Sequence, residues 1–129
     1  MASTKLINPP EVHDTAGRYA HAVAIEGSHK RLVMSGQIGV RPDGTTAEGG
    51  EAQIEQALAN IGAILASQGM DATNIVKMTV FLTDAALIPA WRERRNRFLA
   101  GHVSASTLLI VAGLASPEFL VEVEAEAVA

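Results

Sequence analysis

Cysteine is absent from this sequence of 129 residues. Its absence excludes disulfide bonds, a catalytic thiol and any metal site built on thiolates. The remaining soft metal ligand, histidine, occurs four times, at positions whose spacing is not typical of ligands, and a catalytic zinc normally needs several protein ligands. The sequence therefore predicts neither a metal site nor a cofactor.

Long hydrophobic runs are also missing. No stretch approaches the roughly 18 consecutive apolar residues of a membrane-spanning helix, and the N-terminus lacks the basic and then apolar segments of a secretory signal. We therefore expect a cytoplasmic protein with no membrane partner. Positive charge is scarce too: 10 Lys and Arg stand against 14 Asp and Glu, giving a formal net charge of −4. This balance argues against a nucleic-acid partner on electrostatic grounds.

The residues that are present suffice for a core. Hydrophobic residues make up 48% of the chain and charged residues 19%, and the length is ordinary for one folded unit. We predict a single domain over residues 1–129.

Two segments have the periodicity of helices. In residues 48–68 the apolar positions recur at intervals of three and four, and Gly69 follows where a C-terminal cap belongs. A second helix is expected over residues 89–100, with Pro89 in its first turn. It carries four arginines: Arg92, Arg94, Arg95 and Arg97. We interpret them as a solvated face or as partners in intersubunit ion pairs rather than as an anion-binding patch.

Other segments have the character of strands. A short edge strand is expected at residues 5–7, and residues 21–25 and 31–35 are expected to form a hairpin. Alternation over residues 74–83 predicts a strand that would complete a βαβ unit, with a parallel strand pair, around the first helix.

The C-terminal region is predicted to form a second hairpin, between residues 106–112 and 119–128. Residues 107–111 are apolar at consecutive positions, which is typical of a central strand covered on both faces. The last strand alternates instead, with apolar residues on one face and three carboxylates on the other. These are Glu122, Glu124 and Glu126.

The predicted order β, β, β, α, β, α, β, β gives an α+β fold with a mixed sheet. Two helices can cover only one face of such a sheet. Because residues 33–38 and 108–111 have no polar face, the second face should also be buried. We therefore expect the chain to assemble into a closed cyclic oligomer.

Several segments, in order, resemble the Rid family of reactive intermediate deaminases, also called the YjgF family. The resemblance covers about residues 9–127. It is carried by Tyr19 shortly after a glycine, SGQI at 35–38, IVKMTVFL at 75–82 and VEVEA at 121–125. It implies a chorismate-mutase-like fold with two helices on one face of the sheet, assembled as a homotrimer with ligand clefts between subunits. It also implies cofactor-free hydrolysis of reactive imines and enamines to keto acids and ammonia.

The resemblance assigns site residues as well. Deaminating members open the C-terminal hairpin with a Pro-Ala-Arg motif whose arginine holds the substrate carboxylate. In this sequence the arginine position is Ser106, and Leu108 stands where a cysteine is frequent. Other positions match residues that line the family's cleft: Tyr19, Ser35, Gly36 and Glu122. Because a hydroxyl cannot replace a guanidinium, either another arginine, such as Arg31 or Arg92, reaches the cleft or the ligand has no carboxylate there.

Glu122 is the candidate water-activating residue in this interpretation. It would orient and deprotonate a water for attack on a C=N carbon, while Tyr19 and backbone N–H groups near Ser35 and Gly36 bind the developing charge. One hypothesis is a Rid-type hydrolase or deaminase acting on a substrate other than the usual 2-imino acids. The alternative is a non-catalytic trimeric module that binds a small molecule in the same clefts. Endoribonuclease activity, implied by some family members, is disfavoured by the acidic charge.

Overall fold

The computed structural model describes residues 2–129; Met1, the first residue of the predicted domain, lies outside this range. In chain order the strands and α-helices are β1 (Ser3–Ile7), β2 (Ala22–Glu26), β3 (Arg31–Val33), β4 (Gln37–Ile38), α1 (Gly50–Ser67), β5 (Ile75–Leu82), α2 (Ile88–Leu99), β6 (Ala105–Ile110) and β7 (Val121–Val128). Both helices and β5 lie close to the predicted bounds. These three predictions are confirmed because the periodicity of each segment matches the period of its own backbone.

The main sheet runs in the order β3, β7, β5, β6, and β4 also pairs with β7. β7 is antiparallel to β3, β4 and β5, whereas β5 and β6 are parallel. β1 and β2 form a separate antiparallel pair. Both helices contribute side chains to the hydrophobic core that lies against this sheet. The predicted α+β class with a mixed sheet is confirmed.

The predicted C-terminal hairpin is wrong, because β5 lies between β6 and β7. β5 alternates fully buried with half-buried side chains, so it occupies the centre of the sheet and pairs along both edges. Residues 111–120 carry the chain from one side of β5 to the other. β6 is consequently an edge strand and not the predicted central one. Its Leu109 and Ile110 are 40% and 47% exposed.

Two further pairings differ from prediction. Residues 21–25 and 31–35 form no hairpin, since β2 pairs with β1 and β3 pairs with the end of β7. β4 and β5 flank β7, so they run in the same direction without pairing. The parallel βαβ unit is formed instead by β5, α2 and β6. Strand pairing is set by the tertiary contacts of each strand, and the periodicity of a single segment does not reveal those contacts.

β7 gives the sheet two chemically different faces. Its odd-numbered residues from Val121 to Ala127 are buried in the core, and its three predicted carboxylates point to the other side, as expected. We call this other side, which no helix within residues 2–129 covers, the open face. The strand registers place on it Val33, Lys77, Thr79, Phe81, Glu122, Glu124 and Glu126.

The open face is more polar than predicted. The Arg31 guanidinium pairs with Glu126 at 2.8 Å, and Lys77 Nζ donates to Thr107 Oγ1 at 2.7 Å. Hydration and the Arg31 pair explain how the row of carboxylates is tolerated. Val33 is nevertheless 61% exposed, so the covering of this face by other subunits stays a prediction.

The segment after Gly36 is fixed to α1 by side chains of that helix. Asn60 Nδ2 donates to the carbonyl oxygens of Ile38 and Val40, both at 3.1 Å. Gly39 packs against the Gln53 backbone, where an added Cβ would lie 2.6 Å from the Gln53 Cα. The chain from Gly36 to Val40 is therefore held tightly, and this holds Gly36 in place.

Candidate functional site

A pocket of about 480 Å³ lies where residues 14–19, α2 and the edge strand β6 meet. The Ala20 N–H donates to the Ser104 carbonyl oxygen at 2.9 Å and so attaches the loop to the strand. The lining residues are Asp14, Thr15, Ala16, Arg18, Tyr19, Arg92, Arg95, Ser106, Thr107 and Leu108. We call it the arginine pocket. It brings together four of the predicted site residues.

Three arginines converge on this pocket: Arg18, Arg92 and Arg95. Burial first, and then the charges of Arg92 and Arg18, lower the pKa of the Arg95 guanidinium below its usual value. Asp14 is the one carboxylate among the lining residues, and its Oδ1 accepts a hydrogen bond from the Ala16 N–H at 2.8 Å. Of the two arginines considered as substitutes for the family's clamp, Arg92 lines the same pocket as Ser106, whereas Arg31 is held on the open face by its ion pair.

Helix α2 divides its arginines between two sides. Arg94 and Arg97 form ion pairs at 3.0 to 3.9 Å. Their partners are Glu51, Glu55 and Glu93. Within residues 2–129, Arg92 and Arg95 form no ion pair; Arg95 donates instead to Asn96 Oδ1, at 3.0 and 3.3 Å. The Arg97 side chain, 66% exposed, fits the predicted solvated face, whereas Arg94 is only 16% exposed and is held in ion pairs within the subunit. Arg92 and Arg95 line the pocket, and the predicted intersubunit ion pairs stay a prediction.

Glu122 and Gly36 form a second group of predicted site residues. Gly36 connects β3 to β4 and lies directly against the Glu122 side chain. A Cβ added at Gly36 would collide with Oε2 and lie 2.7 Å from Cδ. The absence of a side chain at Gly36 thus leaves room for the Glu122 carboxylate against the Gly36 backbone. The neighbouring Ser35 is exposed, and its carbonyl oxygen accepts a hydrogen bond from Gln37 Nε2 at 3.1 Å.

The two groups do not share a pocket within one subunit. Glu122 pairs with Phe81 of β5 in the sheet register, and Ser106 pairs with Met78. Two strand spacings and three residues of rise therefore separate them, roughly 10 Å in each direction. Glu122 also points to the open face, whereas Ser106 shares the side of the buried Met78. A site that uses both groups on one small ligand needs a second subunit.

Two histidines surround Tyr19. The Tyr19 hydroxyl and His13 Nε2 are hydrogen-bonded at 2.9 Å, and His21 Nε2 donates to the His13 carbonyl oxygen at 2.7 Å. The His21 ring packs edge-on against both, with centroids 4.7 Å from His13 and 5.6 Å from Tyr19. His13 is thus placed to exchange a proton with Tyr19. Sequence reasoning missed it, since the spacing of six residues has no significance outside this loop.

Residues 10–129 match the family described as Endoribonuclease L-PSP, which contains the Rid, or YjgF, proteins. The chain belongs to this family. A 2-iminobutanoate/2-iminopropanoate deaminase of Rattus norvegicus is 35% identical over 126 residues, which are 96% of this chain and 89% of the relative. A RutC family protein of Aquifex aeolicus is 33% identical over 124 residues, 95% and 96% of the two chains.

A crystal structure of the Rid family protein YyfB from Yersinia pestis has the same fold. It superposes with a TM-score of 0.86 at 26% identity, covering 96% of this chain and 97% of the other. The resemblance read from the sequence and the Rid fold it implied, a mixed sheet with two helices, are thereby confirmed.

Among residues 2–129, no group of three or more His, Asp or Glu side chains is placed to hold a metal ion. In the same part of the chain, no helix combines the length and apolar character needed to cross a bilayer.

Proposed function

We propose that this Rid protein hydrolyses a small imine or enamine to a carbonyl compound and ammonia, at sites between the subunits of a homotrimer. The observation that carries the proposal is the contact of the Glu122 carboxylate with the backbone of Gly36. This contact sets a carboxylate beside half-buried glycine backbone, and it supports Glu122 as the base in a family whose members include 2-iminobutanoate/2-iminopropanoate deaminases. No cofactor is required for this reaction.

Glu122 acts as a proton carrier in the proposed reaction. In the first step a water oxygen bonds to the imine carbon, Glu122 takes a proton from that water, and the C=N π pair moves to nitrogen. Glu122 then returns the proton to nitrogen, which gives a carbinolamine. In the second step Glu122 removes the hydroxyl proton as C=O forms and the C–N bond breaks, and nitrogen leaves with that proton as ammonia. The sum is imine plus water giving carbonyl plus ammonia.

The arginine pocket of a neighbouring subunit orients the substrate. Arg92 supplies the guanidinium that Ser106 lacks, and a hydrogen bond to a charged group is worth about 1.5 to 3 kcal/mol. Tyr19, held by His13, donates to the developing charge, and Leu108 forms an apolar side of the pocket. Ser35 lies beside Gly36, at the rim of the Glu122 group.

The test is a coupled assay in which an amino-acid oxidase or dehydratase generates imines and imine loss is followed with and without this protein. Acceleration supports the proposal. No acceleration with either charged or neutral imines, together with saturable binding of the matching keto acids, would replace it with the non-catalytic binding module. Light scattering on the same sample should give about three times the chain mass of 13.5 kDa. A stable monomer would contradict the intersubunit site.

Replacing Gly36 by alanine should lower kcat/KM in this assay by about tenfold to a hundredfold, because the added methyl group displaces the Glu122 carboxylate. The collision is with the end of a flexible side chain, so urea unfolding should show a loss of less than about 1 kcal/mol. Gly113→Ala is the matched control, since nothing lies within 4 Å of a Cβ added there. Equal activity in the two variants would show that the position of Glu122 is unimportant.

A further inference from the structure

The arginine pocket carries more positive charge than its own acidic residue offsets. Three guanidiniums and one carboxylate line it, which leaves two net positive charges. The carboxylate, Asp14, already accepts a backbone hydrogen bond from Ala16. Burial is the larger cause of the lowered pKa of Arg95, and repulsion from the charges of Arg92 and Arg18 adds to it. A bound anion would relieve the repulsion.

The four arginines of α2 do not contribute equally to this excess charge. Arg92 and Arg95 are three residues apart and so share one face of the helix, and Arg94 and Arg97 share another. All three glutamates that pair with α2 arginines bind to the Arg94 and Arg97 face. The pocket face receives none of them. The same helix therefore provides both a neutralised side and a side left charged toward the pocket.

The pocket also has the geometry to recognise an anion. Arg18 approaches from the loop, and Arg92 and Arg95 approach from the helix, so guanidiniums reach the pocket from two elements. The hydroxyl-bearing residues Ser106 and Thr107 line the β6 side. A guanidinium presents a planar fork of donors that suits carboxylate and phosphate oxygens, and a pocket of about 480 Å³ accommodates more than a single carboxylate.

We infer that the arginine pocket binds a doubly charged anion, so that the substrate carries a second anionic group in addition to the carboxylate next to its imine carbon. The class that fits is the imine of a dicarboxylic amino acid or of an amino acid bearing a phosphate. The substrate assignment rests on the proposed function. Binding of the dianion does not.

Isothermal titration with malonate, inorganic phosphate and acetate at constant ionic strength tests the binding. One dianion per chain is expected, bound at least about tenfold more tightly than acetate. Tighter binding of malonate identifies the dicarboxylate, and tighter binding of phosphate identifies the phosphate ester. Equal affinity for acetate and both dianions would overturn the inference.

Matched double variants separate the two sides of α2. Arg92→Gln with Arg95→Gln should weaken dianion binding about tenfold to a hundredfold, whereas Arg94→Gln with Arg97→Gln should leave it unchanged. Loss of the oligomer in the first variant with dianion affinity retained would assign Arg92 and Arg95 to intersubunit ion pairs and overturn the inference.

The two proposals fail differently. Dianion binding without imine turnover would leave the dianion site standing and would remove the proposed function together with the substrate assignment. Turnover of monocarboxylate imines without any preference for dianions would support the proposed function and remove the dianion site.

Discussion

Replacing Glu122 by glutamine should lower kcat/KM for imine hydrolysis by about 10²- to 10⁴-fold, the usual contribution of general acid–base catalysis. The amide keeps the size of the side chain and its fit against Gly36, but it cannot take a proton from water. Urea unfolding should therefore change little. The coupled imine assay measures the loss directly.

Glu124 provides the control for this substitution. It lies two residues further along the same strand, on the same open face, and is exposed. Glu124→Gln should retain the wild-type rate. Wild-type activity in Glu122→Gln would assign the base to another group, for which the hydrogen-bonded pair of His13 and Tyr19 is the next candidate. Equal losses in both glutamine variants would point to the general charge of the open face instead.

Replacing Trp91 by alanine should lower the free energy of unfolding by about 3 to 5 kcal/mol. Trp91 is a residue of α2 and is fully buried in the core, and its truncation leaves a cavity that a helix fixed at several contacts cannot close. Urea unfolding would measure the loss. All variants need one protein concentration, because the stability of an oligomer depends on it.

Comparing Trp91→Phe with Trp91→Ala tests the role of the indole N–H. Within residues 2–129, the indole Nε1 of Trp91 is buried without a hydrogen-bond partner. Phenylalanine removes this unsatisfied donor while keeping most of the apolar volume, so the loss should be only about 1 to 2 kcal/mol. Similar losses in the alanine and phenylalanine variants would mean that the indole N–H has a partner in solution.

The local elements of this fold could be predicted from the sequence, whereas the strand pairing could not. Periods of 3.6 and 2 are properties of each segment alone, so α1, α2, β5 and the alternation of β7 follow from the pattern. The apolar run at 107–111 was less informative. Leu108 packs against the core but Leu109 is 40% exposed, so the run marks an edge strand and not the centre. The pairing of β6 with β5 rather than with β7 depends on the crossover through α2, and the sequence of β6 alone does not reveal it.

The candidate site was predictable to the extent that single positions match the family. Gly36 and Glu122 were both predicted, and the structure places them in contact. The convergence of Arg18 and Arg95 with Arg92 could not be foreseen, since it depends on how residues 14–19 fold against α2. Arg95 was interpreted, with the other α2 arginines, as part of a solvated face or as a partner in an intersubunit ion pair. The three-residue spacing from Arg92 was the signal in the sequence that the two share a face.

The two-sided character of α2 has a consequence for how this scaffold can diversify. Arg94 and Arg97 form the ion pairs between the two helices, whereas Arg92 and Arg95 line the arginine pocket. Substitutions of Arg92 or Arg95 would change the charge of the arginine pocket and leave the ion pairs of Arg94 and Arg97 in place. With the anion binding proposed above, drift or engineering could reach new ligand preferences while the ion pairs between the helices are kept.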